Sequence, residues 1–262
     1  MKKLGAFLVG LGLVAGTVFA AATNTATSVN AVGFVNKTLQ PNKWILATCN
    51  FQKVGGGTNT LLDVFGTNQL AQNDALLLCD RVILWNSSTQ TYQTWAQYTD
   101  GVFYKANNDT EWASSVAGNP EIPLGTAMWL VPGSGLVENK NVTFAGEVVS
   151  APTQNVSIVS GWQMMGYPFS SDIKLQDTKF SANGAASNDA LLLCDRVVVW
   201  LGSTYKTYAL YTDGSWYNAN NDTEWAASVL ATNTLQLGEG FWYVAQSSIV
   251  WSEDCKYLNN LH

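Results

Sequence analysis

Apolar residues in this chain recur mostly at every second position, in short runs separated by turn-forming residues. This is the pattern of half-buried β-strands. Strands are predicted over 29–35 and 44–51, with Gln40-Pro41-Asn42 as the turn between them. The run 75–85 is apolar on both faces at first and alternates later, which predicts one long central strand. Asn86-Ser87-Ser88 turns the chain into a strand over 91–98, with Tyr92, Thr94, Ala96 and Tyr98 on one face and Trp95 on the other. Asp100-Gly101 is a tight-turn signal leading into 102–105, and further strands are predicted over 126–131 and 141–149. Helical signals are few. Gly55-Gly56-Gly57 opens a loop before a helical turn over 60–65, and Asn107-Asn108 with Glu111 reads as a capping-box start of a short helix through Val116.

The pattern occurs twice. Asn73 to Val82 returns letter for letter as Asn188 to Val197, 115 positions later. Asn107 to Ala113 is echoed by Asn220 to Ala226, Tyr98 to Gly101 by Tyr211 to Gly214, and Trp44 to Phe51 by Trp162 to Phe169. The expected organisation is a leader over 1–22, a first β unit over 23–146 and a second over 147–262. No Gly/Ser linker separates the two, so they are expected to form one tandem. Each unit should hold about six to eight short strands and one short helix. The expected fold is therefore all-β, a tandem of two homologous β-sandwich or partly closed β-barrel units.

The leader changes the expected location. Met1-Lys2-Lys3, an apolar stretch to Gly16 and small residues up to Ala21 predict a secretory signal peptide cut after Ala20 or Ala22. The remainder is expected to be exported, at the cell surface or outside the cell, with the periplasm as the other option. Without Lys2 and Lys3, 11 basic residues face 19 acidic ones, a net charge of −8. That argues against nucleic acid and anionic lipid as partners, which need clustered Lys and Arg.

Cys49, Cys79, Cys194 and Cys255 are an even set in an oxidising compartment. They are read either as two disulfides with the pairing open, Cys79–Cys194 being attractive across a pseudo-twofold axis, or as buried thiols. Zinc is not expected, because there is no CxxC and the single histidine is His262. The same scarcity removes Ser-His-Asp and Cys-His catalysis. Asp100, Asp109 and Glu111, echoed by Asp213, Asp222 and Glu224, are candidate calcium ligands, since Ca²⁺ takes six to eight hard oxygens. The competing assignment is that these residues make turns and caps. Glycoside hydrolysis needs only two carboxylates, but these acids sit at turn positions and occur in both units, so no enzyme is expected. Asp80-Arg81 and Asp195-Arg196 lie within apolar sequence and are expected to be paired, structural charges.

Of the 11 Trp, Trp112 and Trp129 are assigned to the core. Trp95 and Trp216 are kept as candidate ligand-stacking residues.

Three short motifs carry a resemblance. They are Asn30 to Val35 after the leader, Gly161-Trp162 with Gly166-Tyr167-Pro168, and Leu237 to Val244. The chain resembles a group of exported, internally duplicated β-proteins frequent in Verrucomicrobia, Planctomycetes and related bacteria. The resemblance implies a repeated exported β-fold. It brings no established activity and no catalytic residue to carry over. The leading expectation is a non-catalytic secreted or cell-surface building block or scaffold, partnered by itself or by another surface protein. The alternative is a carbohydrate-binding module using exposed aromatics. Rings on a concave face favour the glycan, and rings hidden between sheets favour assembly.

Overall fold

The computed structural model describes residues 31–108, 110–220 and 224–257, and within them the chain is all-β with antiparallel sheets. The N-terminal half carries β1 (Val32–Leu39), β2 (Ile45–Thr48), β3 (Phe51–Gln52), β4 (Asn59–Thr60), α1 (Leu61–Phe65) and β5 (Arg81–Asn86). It continues with β6 (Thr91–Gln97), β7 (Phe103–Ala106), β8 (Trp112–Ala117), β9 (Glu121–Ile122), β10 (Ala127–Val131) and β11 (Lys140–Val148). The C-terminal half carries β12 (Thr153–Ile158), β13 (Gly161–Gly166), β14 (Ile173–Lys174), β15 (Arg196–Trp200) and β16 (Tyr205–Leu210). Then come β17 (Trp216–Ala219), β18 (Trp225–Leu230), β19 (Thr234–Leu235), β20 (Gly240–Ala245) and β21 (Ile249–Asp254).

Each half builds one six-stranded sheet, in the orders β2-β10-β5-β6-β7-β8 and β13-β20-β15-β16-β17-β18. The central strands are apolar on both faces, because both faces are covered. In β5, Val82 and Leu84 enter a core shared with α1 and the small sheet β1-β11-β3, where Phe65 and Phe144 meet edge to face. Ile83, on the opposite face of β5, enters a different core together with Trp129, Val198 and Trp242. That core lies between the two six-stranded sheets. β15 and β20 repeat the arrangement, with Val197, Val199 and Tyr243 in a third core and Val198 and Val244 between the sheets. Period-two alternation thus sorts successive side chains into separate cores.

The two sheets also touch through backbone. Thr48 N–H donates to Gly238 O at 3.2 Å, and Gly166 N–H donates to Gly125 O at 2.9 Å. Thr48 pairs with Ala127 in the first sheet, as Gly166 pairs with Gly240 in the second. The two contacts are therefore mates under a local twofold relation, as are the bridges Ala47–Glu239 and Thr126–Met165. Buried Asn50 adds an unsymmetrical clamp, accepting from Gly238 N–H at 2.6 Å and donating to Tyr167 O.

Three expectations about local structure are corrected. The run 75–85 is not one strand: Leu76–Leu78 forms a 3₁₀ turn, and the strand begins at Arg81. The Asn73 side chain takes the Ala75 N–H, and Cys79 N–H returns to Leu76 O, so the chain turns before it extends. Leu77 and Leu78 are left on the surface. The same occurs at Leu191–Leu193. Nor does a helix follow Asn107-Asn108. Asn108 Oδ1 accepts from Thr110 N–H and Glu111 N–H, and Asn107 N–H bonds Glu111 O, which closes a reversal between β7 and β8. Glu111 turns its carboxylate to Asn108 Nδ2 rather than to a helix cap. The helix per half is corrected too. α1 exists, with Thr60 and Asp63 capping each other, but the described C-terminal half has only 3₁₀ turns.

Asp80 and Asp195 are buried structural charges. Asp195 accepts from Tyr243 OH and from Gln246 N–H, both at 2.7 Å. Burial pushes its carboxyl up, partly offset by those hydrogen bonds. The folded state therefore keeps the Asp195 proton to higher pH than the unfolded chain, and stability from this group declines as pH rises from the unfolded value of about 3.9 through the folded one. Asp195→Asn is thus expected to cost more stability at about pH 4.5 than at about pH 8, measured as the gap between wild-type and variant urea midpoints. A gap that stays constant or grows with pH contradicts this.

Candidate functional site

The inter-sheet core opens to solvent at one end, where the strands run out into aromatic residues. Trp44 directly precedes β2 and Trp162 lies in β13, each beside the strand that carries Trp129 or Trp242. Trp85 and Trp200 stand in the β5–β6 and β15–β16 hairpins, paired in register with Tyr92 and Tyr205. The eight rings form two chains of edge-to-face and tilted contacts. One runs Trp44–Trp129 (6.0 Å between centroids), Trp129–Trp200 (5.7 Å) and Trp200–Tyr205 (4.7 Å). The other runs Trp162–Trp242 (5.8 Å), Trp242–Trp85 (5.2 Å) and Trp85–Tyr92 (4.7 Å). Such pairs contribute about 0.5–1.5 kcal/mol each beyond the area they bury.

The inner rings are locked. Trp85 Nε1–H donates across the halves to Trp162 O at 2.6 Å, and Trp200 Nε1–H donates to Trp44 O at 3.0 Å. Trp129 and Trp242 are 4% exposed. The outer rings are open: Trp44 is 42% exposed, Trp162 39%, Tyr92 56% and Tyr205 50%. Between them lie two clefts. One, of about 420 Å³, is lined by Trp85, Tyr92, Trp162, Val198, Tyr205, Thr207 and Trp242. The other, of about 330 Å³, is lined by Asn42, Lys43, Trp44, Tyr92, Trp129, Trp200, Gly202 and Tyr205. Tyr92 and Tyr205 belong to both and form their common wall. Partial burial pushes both phenols up, and in Tyr92 the nearness of Tyr205 adds to it. At neutral pH both therefore stay hydroxyls that can donate and accept. The arrangement offers flat apolar faces edged by hydroxyls, in volumes suited to small ligands.

The ring candidates from sequence are not part of it. Trp95 packs into the first core and is 7% exposed, while Trp216 is 1% exposed against Phe180. Neither presents a face to a ligand, which corrects the expectation. Sequence reasoning passed over Trp44, Trp85, Trp162 and Trp200. The available signal was the matched spacing Trp85…Tyr92 and Trp200…Tyr205, a Trp and a Tyr facing each other across the ends of a hairpin.

The acidic clusters are turn-makers in the structure. Asp100 accepts from Val102 N–H at 2.8 Å and from Tyr104 OH at 3.1 Å, and Asp213 accepts from Ser215 N–H and Tyr217 OH, both at 2.8 Å. These hydrogen bonds hold the Asp213 carboxyl below its ordinary value. Glu111 and Glu224 accept, through their backbone carbonyls, from Asn107 and Asn220 N–H in the corresponding reversals. Asp109 and Asp222 lie outside the described residues, as does the 1–22 leader. Among the described residues no three His, Cys, Asp or Glu come together.

Of the two readings of the cysteines, the disulfide one is corrected and the buried-thiol one matches the structure, since all four are free and buried. Each belongs to a different apolar cluster: Cys49 with Phe51, Cys79 with Leu76, Cys194 with Leu191, and Cys255 near Tyr257. Cys79 and Cys194 point their thiols at carbonyls of their own turns, Asn73 O at 3.4 Å and Asn188 O at 3.2 Å. Burial pushes the Cys49 thiol up to about 11. All four are core thiols packed among apolar side chains.

Compared with known proteins, the chain matches no family model, no curated protein and no solved structure. Among the described residues no helix is long and apolar enough to cross a membrane.

Proposed function

We propose that this chain is an exported, non-catalytic binding protein that holds a saccharide in its paired aromatic clefts. The observation that carries the reading is the concave placement of four exposed rings, Trp44, Trp162, Tyr92 and Tyr205, over inner rings locked by cross-half hydrogen bonds. A sugar presents apolar C–H faces edged by hydroxyls, and the clefts present the complement. Rigid rings also lose little entropy on binding. The reading builds on an inferred duplication. The identical Asn73–Val82 and Asn188–Val197 segments, the matching strand orders and the mated cross-half contacts support two homologous β-sandwich-like units.

A glycan array followed by titration of the best oligosaccharide tests the reading. Trp162→Ala and Tyr205→Ala are each expected to weaken binding by about tenfold or more while the far-UV spectrum is retained. An array without any bound glycan, or affinities untouched by both substitutions, defeats it.

The scaffold reading keeps one specific support. β8 and β18 are outer strands of the two six-stranded sheets, and Val116, Val229 and Leu230 on them are exposed. Such edges can pair with a second copy.

A further inference from the structure

The two clefts share a plan but differ in charge. Trp44 and Trp162, Trp85 and Trp200, Trp129 and Trp242, and Tyr92 and Tyr205 occupy matching register positions. The residue before Trp44 is Lys43, whereas the residue before Trp162 is Gly161. Gly161 has φ +103°, and a Cβ there would lie 3.0 Å from Gln90 Oε1, so this rim is closed by a neutral amide. Gln90 accepts from Trp162 N–H at 2.9 Å and donates to Trp162 O at 3.0 Å. The other rim carries Lys43, exposed on the surface of a chain with net charge −6 and, among the described residues, the only charged one lining either cleft. No described carboxylate forms an ion pair with it.

We infer that the clefts are unequal subsites of one groove: the Trp85/Trp162 cleft takes a neutral sugar unit, and the Trp44/Trp200 cleft takes a neighbouring unit bearing an anionic group that meets Lys43. The inference rests on the saccharide reading above and adds the ligand class. The common wall of Tyr92 and Tyr205 places the two units side by side, as consecutive residues of one chain would lie. An ammonium at a solvent-exposed rim gives modest, salt-screened selectivity rather than most of the affinity, which comes from the rings.

The test compares oligosaccharides of one length in three forms: neutral, uronate-bearing and sulfated. Wild-type protein is expected to prefer at least one anionic form over the neutral one by about three- to fivefold at low salt, with the preference fading at high salt. Lys43→Gln should abolish the preference, bringing the anionic forms level with the neutral one, and Lys43→Arg should keep it. Whichever of uronate and sulfate is preferred identifies the anionic group. If the neutral form binds as tightly as both anionic forms, or if Lys43→Gln leaves the preference intact, the subsite inference is overturned while saccharide binding stands. If none of the three binds, both fall together.

Discussion

Asp80→Ala is expected to cost about 3–5 kcal/mol of stability, a large share of what a domain possesses. Asp80 is 1% exposed, and its carboxylate is the acceptor on which three segments converge. Oδ1 takes the Gly133 N–H at 2.9 Å, and Oδ2 takes the Ala71 N–H at 2.8 Å together with the Lys140 ammonium. The loop after β10 is pressed hard against the Leu76–Leu78 turn at this point, since a Cβ on Gly133 would stand 2.3 Å from the Leu78 carbonyl oxygen. Alanine leaves two inward N–H groups without an acceptor and a half-buried cation without its counter-charge. The buried Gly133 N–H cannot be hydrated without opening the loop. Asp195 sets the scale. Where Asp80 has Lys140, Asp195 has the neutral Tyr243 hydroxyl, so Asp195→Ala should cost less, about 1–3 kcal/mol. Urea midpoints of the two variants at pH 7 decide the matter. An Asp80→Ala shift equal to or smaller than that of Asp195→Ala would remove the ion pair from the account.

The strands were legible wherever one side chain faced a core and the next faced another surface. Trp95 and Tyr92 sit on opposite faces of β6, as the alternation required. What alternation does not carry is which covered face a ring meets. Trp95 reads as a candidate ligand-stacking ring because the sheet β1-β11-β3 that covers it comes from distant sequence. The run around Leu76–Leu78 misleads for a related reason. Three consecutive leucines satisfy a buried strand and a tight turn equally well, and the deciding interaction is the short Asn73 side chain taking the Ala75 N–H. Asn108 decides in the same way against a helix. The candidate site was hard to read because its eight rings come from six separate places, the start of β2, the β5–β6 and β15–β16 hairpins, β10, β13 and β20, gathered only when the two large sheets meet.

Gly166→Thr is expected to destabilise the fold by about 1–3 kcal/mol or more, and adding Thr48→Gly is expected to restore most of the loss. The reason lies in the local twofold. Thr48 and Gly166 hold matching register positions and meet each other: a Cβ on Gly166 would stand 2.3 Å from Thr48 Cγ2 and 2.4 Å from its Oγ1. Ala127 and Gly240 repeat the situation, with a Cβ on Gly240 at 2.7 Å from Ala127 Cβ. At such an axis one side chain fits and two do not. Thr48 is fully buried and donates to Thr126 O at 2.7 Å, so it has nowhere to retreat. In the double variant the hydroxyl moves to the other side, where Glu239 holds the position of Thr126 and supplies the equivalent carbonyl. The volume at the axis is then unchanged. A double-mutant cycle read from urea midpoints should show a favourable coupling approaching the sum of the two single-variant losses, whereas simple addition of those losses would mean that the two residues are not interchangeable across an axis.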